Sequence, residues 1–156
     1  MAKEIERKFL VRSENYKSRS IESSRIVQGY LSDNAEATVR VRIAGSQAWL
    51  TVKSINKGAE RGEWEYEVPM ADAEEMLRLS VTPVLSKTRH IIDHEGFRWE
   101  VDEFHGALEG LVVAEVELDD VDACPPLPDF IGREVTGDAR YYNSVLAAGG
   151  EMPPSA

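Results

Sequence analysis

The 156-residue chain contains little of what several classes of protein require. Its single cysteine, Cys124, excludes a framework of disulfides within the chain. No apolar run approaches the roughly 20 residues of a membrane-spanning helix. Positive charge is scarce, with 18 Lys and Arg against 28 Asp and Glu, so no basic face for duplex nucleic acid is expected. On its own, the net charge of −10 argues against any polyanionic partner.

The ends of the chain and its composition predict one cytoplasmic domain. Residues 1–8 are charged almost throughout and lack the apolar stretch of a signal peptide. The lone Cys124 suits a reducing compartment. A hydrophobic content of 42% is sufficient for a core, and the length predicts a single domain over residues 1–149. Residues 150–156 are predicted to be a flexible tail.

Short segments of alternating apolar and polar residues dominate the first two thirds of the chain. This pattern predicts strands, because successive side chains on a strand point to opposite faces. A capping pair, Asp72 and Glu75, predicts one helix, and Asp138 is predicted to cap another that ends near Leu146. The eight predicted strands are Ile5–Val11, Ile26–Leu31, Ala37–Ile43, Ala48–Ser54, Glu63–Val68, Lys87–Asp93, Phe97–Phe104 and Leu111–Leu118.

Nearly every predicted strand carries a charged face, and the sign of the charge differs between strands. A solvated sheet face also alternates polar with apolar, and for one strand that is the simpler interpretation. It does not explain why like charges, which repel, stand at i and i+2 on so many strands. The segregated acids are Glu4, Glu6, Glu65, Glu67, Glu115 and Glu117, and the segregated bases are Arg40, Arg42, Lys87 and Arg89.

An eight-stranded antiparallel barrel with its charged faces inward would bring the two signs together. Eight strands leave an interior wide enough for side chains or one small ligand, and a few helices would cover the apolar outside. We therefore expect a mainly β, α+β fold that forms a charged tunnel. Grouped carboxylates would hold a divalent cation, Mg²⁺ or Mn²⁺, and grouped Arg and Lys would hold phosphate oxygens. Such a site suits phosphoryl transfer.

The N-terminal string Glu4-Ile5-Glu6-Arg7-Lys8 resembles the Glu-x-Glu-x-Lys signature of the CYTH superfamily, the triphosphate tunnel metalloenzymes. The resemblance runs to about Leu146, and eight further motifs follow in the family's order, which makes it specific. They are Gln28-Gly29-Tyr30-Leu31, Arg40-Val41-Arg42, Thr51-Val52-Lys53, Glu65-Tyr66-Glu67, Lys87-Thr88-Arg89, Val101-Asp102, Glu115-Val116-Glu117 and Glu134-Val135-Thr136.

The resemblance implies a tunnel that binds a triphosphate together with a divalent metal ion. The implied metal ligands are Glu4, Glu6, Glu115 and Glu117, with Asp102 close by. The implied phosphate-binding residues are Lys8, Arg40, Arg42, Lys53, Lys87 and Arg89. Glu65 and Glu67 match family acids that position a second metal or the attacking water. We predict water activation by the Glu65 strand and leaving-group stabilisation by Lys8.

Among the family's activities, the short chain and its Asp-x-Arg-Tyr-x-Asn segment most resemble the bacterial inorganic triphosphatases. The expected reaction is metal-dependent hydrolysis of inorganic triphosphate to pyrophosphate and phosphate. Adenylate cyclase, thiamine triphosphatase and a non-catalytic triphosphate- or polyphosphate-binding module are the alternatives. The implied site holds six bases and seven acids, so the acidity lies mostly outside it and a small, metal-bound triphosphate can enter.

The C-terminal motif departs from the family pattern, in which Lys is frequent at two positions. Those positions hold Ala139 and Tyr142 here, so a phosphate contact from this segment depends on Arg140 or Arg133. The roles of Tyr30 and Glu63 remain open. No nucleic-acid or membrane partner is expected, and a homodimer is one oligomeric state that the sequence leaves open.

Overall fold

The alternating segments form strands whose two faces differ in chemistry. The computed structural model describes residues 3–155, and nine strands over this range form one antiparallel sheet. They are β1 Lys3–Val11, β2 Glu22–Ser32, β3 Ala37–Ala44, β4 Gln47–Ser54, β5 Glu60–Val68, β6 Leu85–His94, β7 Phe97–Phe104, β8 Val112–Glu117 and β9 Ile131–Glu134.

The sheet closes on itself, because β5 pairs with β1 through Glu4 and Arg61 and their neighbours. The resulting barrel has the circular order β1-β5-β4-β3-β2-β6-β7-β8, so the predicted eight-stranded antiparallel barrel is confirmed. The four-residue β9 lies on β1 outside this circle and was not predicted, because Gly132 and Arg133 interrupt its alternation. In the circular order β1 lies opposite β2, and β8 lies opposite β3. Side chains on β1 and β8 therefore lie on the other side of the barrel from those on β2 and β3.

In the described part of the chain, three short α-helices accompany the barrel: α1 Tyr16–Arg19, α2 Met70–Leu77 and α3 Asn143–Ala148. α2 packs its buried Ala73 against the outward face of β3 and β4, at Val41 and Ala48. It begins after Pro69 without a side-chain cap, so the predicted cap at Asp72 is wrong. Asp138 accepts a hydrogen bond from the Arg140 backbone N–H, but it caps only a 3₁₀ turn, and the predicted second helix is therefore shorter.

The inward face of the barrel changes from charged to apolar along the barrel axis. Leu10 follows Lys8 at the next inward position of β1, and Leu85 precedes Lys87 on β6. These apolar residues join a buried cluster to which the C-terminal segment, residues 138–154, also contributes. The cluster contains Leu10, Tyr30, Leu85, Phe104, Leu111, Val113, Val135, Tyr141, Leu146 and Ala147. The charged interior therefore occupies one part of the barrel, and an apolar plug fills another.

The end of the chain makes definite contacts over part of the predicted flexible tail. Pro153 is buried, and the Tyr141 hydroxyl donates a hydrogen bond to the Pro154 carbonyl. Residues 1, 2 and 156 lie outside the described range, and the domain boundary at residue 149 stays a prediction. In the part of the chain that the structure describes, no helix is long and apolar enough to cross a bilayer.

Candidate active site

The charged part of the barrel encloses a cavity of about 170 Å³ to which all eight barrel strands contribute. Its lining includes seven acidic and seven basic side chains, which gives a formal charge of zero. The acids are Glu4, Glu6, Glu63, Glu65, Glu100, Glu115 and Glu117, and the bases are Lys8, Arg40, Arg42, Lys53, Arg61, Lys87 and Arg89. The strand parity read from the sequence thus predicts most of the lining.

Carboxylates on β1 and β8 form an acidic wall, defined here as Glu4, Glu6, Glu115 and Glu117. Glu6 stands opposite Glu117 in the β1–β8 register, so these like charges face each other. Burial, together with the carboxylates of Glu115 and Glu4, raises the pKa of Glu6 to about 8. Glu6 therefore carries a proton at neutral pH unless a cation offsets the neighbouring negative charge.

The other buried carboxylates of this wall have basic partners. Lys53 Nζ lies 3.1 Å from Glu4 Oε1 and 3.1 Å from Glu63 Oε2. Although burial alone would raise the pKa of Glu4, Lys53 and Arg61 lower it to about 2. Lys8 Nζ lies 3.4 Å from Glu115 and donates a hydrogen bond to the Tyr141 carbonyl at 3.1 Å. Lys8 therefore connects the acidic wall to the C-terminal segment.

Basic residues on β3 and β6, the strands that flank β2, form the opposite wall, defined here as Arg40, Arg42, Lys87 and Arg89. Arg42 Nε donates to Gln28 Oε1 at 2.9 Å, and among residues 3–155 Arg42 makes no salt bridge. Burial and the charges of Arg40 and Arg89 lower the pKa of Arg42 to about 9. Arg40 Nε is buried and has no hydrogen-bond partner among the described residues. The basic wall therefore has donors to spare for an anion.

Asp102 lies behind the basic wall and does not line the cavity. It accepts hydrogen bonds from Arg89 Nε and Nη2 at 2.8 and 2.9 Å, and Lys87 Nζ lies 2.7 Å from it. Despite its burial, these two cations hold the pKa of Asp102 far below its usual value. Both oxygens of Asp102 have basic partners and only 2% of its surface is exposed, so in this structure Asp102 supports the basic wall, and its role beside the metal ligands stays a prediction.

Besides Asp102, three predicted site residues lie outside the cavity lining. Glu67 shares the inward parity of Glu65 but stands near the end of β5, where Gln47 Nε2 is 3.4 Å away. Arg140 is exposed and pairs with Asp138 at 2.7 Å. Arg133 is also exposed, on β9. The phosphate contact predicted from Arg133 or Arg140 therefore has no geometric support.

Several lining residues were not predicted as site residues. Arg61 has the inward parity of Glu63, so extending β5 by two residues would have found it. Tyr142 places its ring 5.6 Å from Lys8 Nζ, at a position where the family pattern often has Lys. No periodicity predicts such contacts from an irregular segment. The lining residues missed are Thr38, Arg61, Glu100, Tyr142, Asn143 and Ser144.

The chain is similar to known proteins over most of its length. Residues 2–142 match the CYTH domain. The chain belongs to the CYTH domain family. This CYTH protein is 49% identical to an inorganic triphosphatase of Acetivibrio thermocellus, with 94% of each chain covered. It is 33% identical to an inorganic triphosphatase of Nitrosomonas europaea, with 92% of this chain and 96% of the relative covered.

A solved structure supports the same assignment. The crystal structure of an inorganic triphosphatase superposes on the CYTH protein with a TM-score of 0.65 and 31% identity. The superposition covers 93% of this chain and 97% of the other. The family resemblance predicted from the sequence motifs is therefore confirmed.

Membership of the CYTH family implies a divalent metal ion. In the described range no three Asp, Glu, His or Cys side chains are grouped so as to hold a metal ion. Glu4 forms salt bridges with Lys53 and Arg61, and Glu115 forms one with Lys8. The donor chemistry nevertheless fits, because the acidic wall offers only oxygen ligands. Burial and the charges of Glu115 and Glu4 raise the pKa of Glu6, and a bound cation would favour its charged form.

Proposed function

We propose that this CYTH protein hydrolyses inorganic triphosphate to pyrophosphate and phosphate, with Mg²⁺ or Mn²⁺ as cofactor. The observation that carries the proposal is the opposition of two incompletely neutralised walls across one small cavity. One wall has Arg42 without an acidic partner, and the other has Glu6 crowded by carboxylates. The names of the relatives, both inorganic triphosphatases, support the same substrate.

The composition of the cavity lining favours a bare phosphate chain over a nucleotide. Among residues 3–155, no aliphatic residue lines the cavity, and the aromatic side chains of the lining are Tyr30 and Tyr142. Tyr30 is 4% exposed and belongs to the apolar plug, so little of its ring is free to stack. A nucleobase or a thiamine moiety binds best against apolar and aromatic surface, which this lining does not offer. Phosphate oxygens, by contrast, match its guanidinium and ammonium groups.

The basic wall would bind and orient the substrate. Arg40 and Arg42 would donate to oxygens of the phosphates that do not react, since both have spare N–H groups. Lys87 and Arg89 would stay oriented by Asp102 while they face the same anion. A divalent ion bound to Glu4, Glu6, Glu115 and Glu117 would supply neutralisation of charge on the phosphate oxygens.

Lys8 and Glu65 are the residues to which we assign roles in the chemical step. Glu65 accepts a hydrogen bond from Thr51 Oγ1 at 2.8 Å and lies 3.6 Å from Arg40. Its side chain is 40% exposed, so Glu65 can orient a water molecule and accept its proton as the water attacks the terminal phosphorus. As the bond from phosphorus to the bridging oxygen breaks, the buried ammonium of Lys8 would stabilise the charge on the leaving pyrophosphate.

The net charge of the chain supports a small substrate rather than a long polymer. The cavity lining sums to zero, so the entire net charge of −10 lies outside it. Nucleic acids would meet this acidic exterior and be repelled, whereas a small triphosphate can reach the basic wall. We propose the cytoplasm as the location, where the exposed Cys124 would stay reduced.

A release assay on the full-length protein tests the proposal. Triphosphate, ATP, thiamine triphosphate and pyrophosphate are each incubated with Mg²⁺ or Mn²⁺, and orthophosphate and cyclic AMP are measured. We expect orthophosphate and pyrophosphate from triphosphate at a rate well above that for the other three compounds. Cyclic AMP from ATP would identify a cyclase. Tight triphosphate binding without phosphate release in either metal would identify a binding module and overturn the proposal.

A further inference from the structure

Asn143, the first residue of α3, lines the cavity beside the basic wall. Its Oδ1 accepts a hydrogen bond from Lys87 Nζ at 2.7 Å and another from Gln28 Nε2 at 3.2 Å. Lys87 and Gln28 are both 0% exposed. Gln28 in turn accepts from Arg42, so a continuous chain of hydrogen bonds links Asn143 to the guanidinium without a salt bridge.

These contacts fix which end of the carboxamide faces which neighbour. The Arg42 guanidinium can only donate, so Gln28 meets it with Oε1 and directs Nε2 to Asn143, and the accepting atom of Asn143 must therefore be the oxygen. Two donors hold Oδ1, and the amide nitrogen Nδ2 is therefore directed away from Lys87. Within residues 3–155, no acceptor is hydrogen-bonded to Nδ2. Because Asn143 lines the cavity, its two N–H groups are available to a ligand there.

We propose that Asn143 binds the triphosphate directly, with Nδ2 donating to an oxygen of a phosphate that Lys87 and Arg42 also contact. This inference rests on the proposed triphosphatase function. A neutral donor suits the position, because a further cation would add to the repulsion among Arg40, Arg42 and Arg89. Nδ2 adds a hydrogen bond without adding charge.

The neighbouring residue gives the C-terminal segment a second point of contact with the cavity. Tyr142 faces Lys8 on the acidic wall, while Asn143 faces Lys87 on the basic wall. Two consecutive residues of the C-terminal segment therefore reach both walls. Binding of a phosphate to Nδ2 would hold this segment in place, so we expect triphosphate to reduce its exposure to solvent in the wild-type protein.

Steady-state kinetics and calorimetric binding of triphosphate to single variants test the proposal. Asn143→Ala removes the donor, so we expect the KM and Kd for triphosphate to rise by about tenfold or more, with a smaller change in kcat. Asn143→Asp keeps an acceptor for Lys87 and Gln28 but replaces the donor with a carboxylate. It should weaken binding further while its urea midpoint stays near that of the wild type. Asn34→Ala, in the exposed turn between β2 and β3, is the matched control.

Measuring Asn143→Ala in a Lys87→Met protein separates direct binding of triphosphate by Asn143 from an effect of Asn143 on Lys87. In Lys87→Met protein, Asn143→Ala should still raise the Kd for triphosphate severalfold, because the contact to phosphate does not need the ammonium. Loss of the Asn143 effect in that background, or wild-type affinity in Asn143→Asp, would overturn the inference. If the wild-type protein neither bound nor hydrolysed triphosphate, the proposed function itself would fail. If the wild-type protein is active but both Asn143 variants keep its affinity, only the inference about Asn143 fails.

Discussion

Arg42 donates its Nε to the amide oxygen of Gln28 at 2.9 Å, and in the described part of the chain it has no carboxylate partner. The acids of the cavity are engaged elsewhere, with Glu65 near Arg40 and Glu100 near Arg89. A buried guanidinium with a neutral partner is costly, because an amide dipole offsets only part of the lost hydration. We interpret Arg42 as a group whose anionic partner is the substrate.

Replacing Arg42 with Met should therefore stabilise the free protein and weaken substrate binding at the same time. The buried charge disappears, so the free energy of unfolding should rise by about 1 kcal/mol. The Kd for triphosphate should increase by at least about tenfold, because a charge-assisted contact is lost. Urea unfolding and calorimetry measure the two quantities. Arg25→Met, on the exposed face of β2, is the control, and a destabilised Arg42→Met protein would contradict the interpretation.

Glu6 should make the stability of the metal-free protein fall as the pH rises. Its pKa is about 8 in the folded state against 4.5 ordinarily, so between these values the folded state binds more protons than the unfolded chain. Folding stability is therefore lost progressively across this window. Glu6→Gln removes the titration, and its unfolding free energy should vary less between about pH 5 and pH 8.

Urea unfolding in EDTA, at several pH values, compares the wild type with Glu6→Gln. Lys87, whose pKa burial lowers to about 7, acts in the opposite direction above that pH. Since Lys87 is present in both proteins, the difference between the two curves isolates Glu6. Parallel curves across the whole range would show that Glu6 titrates normally.

Asp102→Asn distinguishes an anchor of the basic wall from a metal ligand. The substitution leaves Lys87 and Arg89 with less compensating charge in a buried position, so we expect a loss of about 3 kcal/mol in unfolding free energy. The KM for triphosphate should rise, while the Mg²⁺ concentration for half-maximal activity should stay within about twofold of wild type. Glu117→Gln is the comparison and should raise that concentration. A similar increase in the Mg²⁺ concentration for half-maximal activity of Asp102→Asn would indicate that Asp102 is a metal ligand.

The period-two pattern predicted which charged side chains share a strand face, because that follows from local geometry. The barrel itself was inferred from the segregation of charge between strands and from the family resemblance. Arg40, Arg42, Lys87 and Arg89 all line the cavity, as their strand parity requires. Parity could not tell where along the axis the charged part ends. The change from the charged Lys8 to the apolar Leu10 is visible in the sequence. That Leu10 belongs to the apolar cluster depends on how far neighbouring strands are shifted along the barrel axis, which only the structure shows.

Contacts of irregular segments could not be predicted, because no repeat relates their residues to a face. Asn143 reaches Lys87 across 56 positions of sequence, and nothing local in α3 indicates this partner. Asp102 had the predicted inward parity, but the parity of β7 does not show that Arg89 and Lys87 contact both of its oxygens. The sequence thus predicts which face of a strand a side chain lies on, whereas the residues that it contacts depend on the closed barrel.

Glu65 and Glu67 form a matched pair on β5 that tests the assignment of water activation. Both were predicted as catalytic acids, but Glu65 lines the cavity beside Arg40 and Glu67 lies outside the lining. Glu65→Gln keeps the size and removes the proton acceptor, so kcat should fall by about 100-fold or more with a small change in KM. Glu67→Gln should retain kcat within about twofold. The same assay with saturating Mg²⁺ serves both variants, and an equal loss in the two would mean that the acids act together at the mouth of the cavity rather than Glu65 acting alone on the water.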